Sequence, residues 1–280
     1  MLKVNKKLSL FHQDELNCVM ISRSIIFLFT LTNAAFQGFS QSKTLPAEAT
    51  PFVLSGYEMM DYITGDLNGD KRADAILILR TPGEDSIFED TLLRPFIILL
   101  RQPNGKLKKE KQSDNMVMCR HCGGIFGDPY EETKIYDKGF TINFYGGSNL
   151  RWMYQYTFTY NATKKNWLLN KEMLGNYATT DPEMNIKEVN IGAAELEGIN
   201  FDNFNAGALY EDSKWKVIAA KTYFYDSPGL NNKPRKAYLL KGDEVIGIRQ
   251  LKNFVEISFQ NKKEQFTTGY VLKKDLSKIK

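Results

Sequence analysis

Asp66-Leu67-Asn68-Gly69-Asp70-Lys71-Arg72-Ala73-Asp74 sets oxygen-bearing side chains at positions one, three, five and nine of a single short loop. Carboxylate and amide oxygens at that spacing can converge on one hard cation, with the backbone carbonyl of Arg72 at position seven and water completing the shell. Asn68-Gly69 supplies the tight turn that wrapping an ion requires. Three aspartates this close repel one another until a cation neutralises them, so the ion would order the loop. The competing arrangement is a solvated turn held only by Asx hydrogen bonds, but four oxygen ligands in register favour calcium. An EF-hand would place a bidentate Glu at position twelve, where this chain has Leu77, and would flank the loop with helices. Here Ala75–Arg80 (AILILR) reads as a strand.

Few other residues could carry chemistry. Cys119 and Cys122 enclose Arg120 and His121 and are followed by Gly123-Gly124. A thioredoxin-type pair needs a helix starting at the first Cys to lower its pKa, and two glycines break that helix. A zinc site needs four ligands, and no second Cys pair accompanies these three. A short-loop disulfide that stiffens a surface turn is the remaining choice, in keeping with an exported chain. Hydrolysis by a Ser-His-Asp or Cys-His set would fall to His121, which reads as an exposed turn residue. A glycosidase needs two carboxylates across a cleft. Glu131-Glu132 and Asp181/Glu183 are available, but nothing in the sequence pairs them. The chain is therefore expected not to be an enzyme.

The loop must be held by strands. Ala75–Arg80 and Pro95–Arg101 (PFIILLR) are short continuous apolar runs of the kind buried on both faces. Asn104-Gly105 is a hairpin signal. Phe140–Tyr145 and Met153–Tyr160 (MYQYTFTY) alternate, and Asn161–Asn166 turns the chain into Trp167-Leu168-Leu169, so a β-meander is expected over 52–205. Within it, Ala193–Glu197 reads as a short helix and Ile199–Phe204 as a closing strand. Residues 206–213 read as a linker. From 214 to 280, the runs after Trp215, Lys236–Leu240, Glu244–Arg249, Phe254–Phe259 and Thr268–Leu272 make five short strands, the texture of a small barrel. Arg151 and Trp152 follow a flexible Gly146-Gly147 pair and are residue types common at recognition surfaces. Tyr223, Tyr225 and Tyr270 could line an aromatic groove for a peptide or serve as packing.

A formal charge of +4 over 280 residues gives no basic field for nucleic acid. Ile25–Phe36 (IIFLFTLTNAAF) with Arg23 before it reads as the core of a signal peptide covering 1–40, cleaved near Ser40-Gln41. Translation from Met20 would give that signal normal proportions, leaving 1–19 as an over-long start. A retained anchor helix is the alternative, though the run is short for a membrane span. Cys18 precedes the apolar stretch, which argues against a lipoprotein. Residues 41–51 read as a flexible leader. The mature chain is expected in the periplasm or outside the cell, with no membrane span.

The loop Asp66–Asp74 between two strands resembles the calcium loop of FG-GAP/VCBS-type β-propeller repeats. With Tyr62 four residues ahead of Asp66, it is also similar to periplasmic proteins that inhibit peptidoglycan-cleaving enzymes on a distorted β-propeller. Tyr223–Pro228, Leu240–Asp243, Asn253–Ser258, Gly269-Tyr270-Val271 and Lys274-Asp275-Leu276 resemble the bacterial SH3-like (SH3b) domain, with Phe254 where Trp is frequent. These resemblances imply an all-β chain: a calcium-loop sheet or partial propeller, then an SH3-like barrel. They imply peptidoglycan or an envelope protein as partner, with a lysozyme-type peptidoglycan hydrolase as the alternative target.

Overall fold

The computed structural model describes residues 44–87, 92–181, 186–206 and 213–279. The expected signal segment, Glu183 and residues 207–212 of the expected linker lie outside them. The described chain is all-β: its three helical pieces are three-residue 3-10 turns, Thr50–Phe52, Glu84–Ser86 and Lys273–Asp275.

β1 (Glu58–Gly65), β2 (Asp74–Arg80), β3 (Phe96–Arg101) and β4 (Leu107–Ser113) form an antiparallel meander in that order. The apolar runs of β2 and β3 are explained by burial on both faces. Ile76, Ile78, Phe96, Ile98 and Leu100 enter the main core. Ala75, Leu77, Leu79, Ile97 and Leu99 lie under a layer that includes Leu45, Phe52, Val53, Leu54 and Tyr57. β4 reads LKKEKQS and is an edge, where lysines discourage pairing with another chain.

β5 (Tyr130–Tyr136), β6 (Gly139–Gly147), β7 (Leu150–Asn161), β8 (Asn166–Ala178) and β9 (Lys187–Gly192) form a second meander. Alternation sends Phe140, Ile142 and Phe144 of β6, and Tyr156 and Phe158 of β7, into the core. Phe140 stacks on Phe158 at 5.0 Å and meets Phe96 of the first sheet at 5.3 Å. Aromatic contact therefore joins the two sheets.

The helix expected at Ala193–Glu197 does not form, since five residues between Gly192 and Gly198 are too few to repay helix nucleation. Ile199–Phe204 is likewise turn rather than strand. Asn200 accepts the Asp202 N–H (2.9 Å), Asn203 accepts the Asn200 N–H (2.8 Å), and only Leu168 bridges to Asn200.

The C-terminal strands are β10 (Ser213–Val217), β11 (Lys221–Tyr223), β12 (Tyr238–Leu240), β13 (Glu244–Gln250), β14 (Phe254–Gln260), β15 (Phe266–Leu272) and β16 (Leu276–Lys278). Five pair in the order β15-β14-β13-β10-β16, and β11 pairs with β12 alone. Trp215, Val217, Phe224, Leu239, Val255 and Val271 make their core. Among the described residues no sheet closes into a barrel: β11 and β12 match over three residues, and one bridge, Tyr225 to Tyr270, joins this ribbon region to β15.

The C-terminal strands share the main core through Leu251, Phe254 and Tyr270. Arg249 of β13 forms a buried ion pair with Glu172 of β8. The Glu195 carboxylate accepts the Asn253 N–H and its Nδ2, both at 2.9 Å. No described helix is long and apolar enough to cross a membrane.

Candidate metal centre

The loop joining β1 to β2 is organised around Asp66. Its Oδ1 accepts the N–H groups of Gly69 (2.7 Å), Asn68 (3.2 Å) and Asp70 (3.2 Å), and its Oδ2 accepts that of Lys71 (2.8 Å). Burial alone would raise the Asp66 carboxyl, but these four donors hold it below the ordinary range. Convergence of the amides depends on left-handed backbone at Gly69 (φ +82°) and Lys71 (φ 65°). Asp70 Oδ1 accepts the Arg72 N–H (2.9 Å), while Oδ2 accepts Asn68 Nδ2 (2.9 Å) and the Arg72 guanidinium.

Asp74 is fully buried. Its Oδ2 accepts the Leu67 N–H (2.9 Å) and its Oδ1 the Arg101 N–H (2.8 Å). Burial pushes its carboxyl up; the two amide bonds oppose this, and the negative charges of Asp70 and Asp66 add to the rise. One oxygen from each of Asp66, Asp70 and Asp74 lies within 4.8 Å of the others. Asn68 Oδ1 accepts the Asp70 N–H (3.0 Å), and the Arg72 carbonyl accepts the Asp74 N–H (3.0 Å) on one of its two lone pairs. An all-oxygen set fits a hard cation such as calcium and lacks the nitrogen and sulfur that zinc prefers. Asp66, Asn68, Asp70, Asp74 and the Arg72 carbonyl are the groups that would hold it.

Three residues far along the chain fix the loop, and no local pattern announces them. Trp167 Nε1 donates to the Leu67 carbonyl (2.8 Å), and the Lys138 N–H donates to the Asp66 carbonyl (3.2 Å). Arg101 donates through Nε to the Ala73 carbonyl (2.7 Å) and forks onto Glu48 (2.9 and 2.8 Å). Arg72 Nε in turn donates to the Arg101 carbonyl (2.7 Å). The loop is thus clamped from both sheets.

Cys119 and Cys122 are joined as a disulfide with Cα atoms 5.2 Å apart. His121 is half-buried rather than exposed, with Nε2 2.9 Å from the Ile87 carbonyl. Arg94, fully buried, anchors this region by binding Glu84, Asp128 (2.7 Å to each oxygen) and the Met118 carbonyl (3.2 Å). The loop also abuts the β6–β7 hairpin. The Gly147 N–H donates to the Gly123 carbonyl (2.9 Å), and a Cβ on Gly124 would stand 2.9 Å from the Gly147 oxygen. Its tip presents Ile125 (73% exposed) and Phe126 (48%). The Arg151 guanidinium lies 3.9 Å from the Phe126 ring centroid. Trp152 stacks instead on Tyr154.

The three C-terminal tyrosines do not share one surface. Tyr223 is exposed and meets Tyr238 edge-on at 6.2 Å, with Lys221 Nζ 3.8 Å from the Tyr238 centroid. Tyr225 packs on Phe254 at 5.3 Å, and Tyr270 is buried. Of the carboxylates weighed for hydrolysis, Glu132 is tied to Lys134 (2.6 Å) and Asn143 Nδ2 (3.0 Å). Comparison with family models, curated proteins and solved structures finds no match for this chain.

Proposed function

We propose that this chain is an exported, non-enzymatic calcium-binding protein of the bacterial envelope, whose C-terminal SH3-like strands bind peptidoglycan or an envelope protein. The carrying observation is the loop in which Asp66, Asp70 and Asp74 bring three carboxylate oxygens within 4.8 Å. Calcium is structural in this proposal: the loop ties β1–β2 to Trp167 of the second sheet and Lys138 of the β5–β6 turn, so its occupancy stiffens the junction. The exposed Tyr223–Lys221–Tyr238 cluster is the surface offered to the wall. Co-sedimentation of residues 41–280 with peptidoglycan sacculi is expected to pellet the protein. A Tyr223→Ala/Tyr238→Ala variant should remain largely in the supernatant. A wild-type chain that never pellets would sink the cell-wall partner.

The exposed tip Ile125-Phe126, held by the disulfide and by Arg94, favours a second reading as an inhibitor of a peptidoglycan hydrolase. A rigid loop presenting apolar side chains suits insertion into another protein's cleft. In that case a lysozyme-type enzyme loses activity on titration, and Phe126→Asp restores it. An enzyme unaffected by the wild-type protein rules out that target.

A further inference from the structure

A cleft of about 570 Å³ opens between the second sheet and the C-terminal strands. One wall is Trp152 and Tyr154 of β7, stacked with centroids 4.8 Å apart and planes 18° from parallel. They continue the face of β7 that buries Tyr156 and Phe158, past the point where the core ends. Glu256 of β14 and Tyr270 of β15 line it from the C-terminal strands.

Glu256 Oε2 is buried without a hydrogen-bond partner among the described residues. Burial pushes this carboxyl up, the Arg249 guanidinium pulls it down, the Glu172 charge adds to the rise, and the neighbouring Tyr270 hydroxyl lowers it as a hydrogen-bond donor. Arg249 commits Nη1 and Nη2 to Glu172, so once Glu256 ionises two carboxylates share one guanidinium and leave a negative charge over. The remaining lining charges are matched. Asp226 is bound by Arg235, which also donates to the Thr268 carbonyl (2.6 Å), and Lys187 and Glu188 are adjacent with opposite sign.

A carboxylate with one buried oxygen still lacking a donor, in a cleft walled by aromatic rings, suits a cation that also donates hydrogen bonds. An anion would meet the surplus negative charge, and a neutral polyol would leave it uncompensated. We propose that this cleft binds a small ligand through a primary ammonium group, with Glu256 as the acceptor and Trp152 and Tyr154 as the aromatic wall. No residue of the calcium loop lines the cleft, so this site stands apart from the proposed metal centre.

The test uses the full-length protein and two probes of equal size, n-butylamine and n-butanol, in saturation-transfer NMR. The amine is expected to bind and the alcohol to bind about tenfold more weakly, because only the amine makes a charge-assisted bond. Glu256→Gln should weaken the amine by about tenfold and leave the alcohol unchanged. Trp152→Leu should weaken both probes, with thermal unfolding as a check that each variant stays folded. Equal binding of the two probes, absence of amine binding, or an amine affinity untouched by Glu256→Gln in a folded variant would each overturn the site.

Discussion

Calcium is expected to raise the thermal midpoint of this protein, and EDTA to lower it to that of the calcium-free chain. An ion bound only by the native state stabilises it by about 2.7 kcal/mol at a hundredfold excess over Kd. For a chain of this size that is roughly 5–10 °C. Loops of extracellular modules bind in the range of about 100 µM to 1 mM, so that excess is reached at about 10–100 mM calcium. Two variants separate the ion from the scaffold. Asp70→Ala removes a proposed ligand whose side chain bonds only within its own loop, to Asn68 and Arg72. It should abolish the calcium response while costing the calcium-free protein less than about 1 kcal/mol. Asp74→Ala orphans the Leu67 and Arg101 amides in a fully buried place. At about 1–3 kcal/mol for each of the two unmet groups, it should lower stability by about 2–6 kcal/mol and lose the calcium response as well. A wild-type midpoint that moves with neither calcium nor EDTA would reduce the loop to an Asx turn.

Arg249→Met should be the most damaging single change in the C-terminal strands. Arg249 is nearly buried and faces Glu172, which is wholly so. Burial raises the Glu172 carboxyl and Arg249 opposes that rise. Removing the guanidinium strands Glu172 and takes from Glu256 the charge that lowers it. Breaking a buried pair from one side costs about 3–5 kcal/mol. That should move the urea midpoint down by roughly 1–2 M. Glu172→Leu combined with Arg249→Met should recover part of the loss, because the apolar pair has no charge to desolvate while Glu256 loses its like-charge neighbour together with its counter-charge. The wild type should unfold in one transition, since Leu251, Phe254 and Tyr270 belong to the core of the strands before them. Two separated transitions, or a single variant no weaker than the double, would show that the pair couples nothing.

Local sequence carried a good part of this structure. Continuous apolar runs gave β2 and β3 because a sheet covered on both faces has no wet side to encode. Alternation gave β6 and β7 because their faces differ. The edge strands β4, β5 and β9 left little trace. LKKEKQS, YEETKIY and KEVNIG are polar, and their pairing is supplied by a neighbour rather than by their own propensity. The same dependence explains why 193–204, which looked helical and then extended, is turn. Asx hydrogen bonds and the contact of Glu195 with Asn253 outweigh a weak local preference.

The candidate site divides in the same way. Spacing alone determined which side chains of Asp66–Asp74 share one loop, because nine consecutive residues cannot be far apart. Only the tertiary structure decided that Asp74 is buried, that Trp167 holds the Leu67 carbonyl 100 positions away, and that Glu172 meets Arg249 across 77. It also split Tyr223 from Tyr225 and Tyr270 and set Trp152 and Glu256 around one cleft. Such pairs are selected by packing between sheets, where each partner answers to a surface built by other strands, and that surface is not written in the residues beside it.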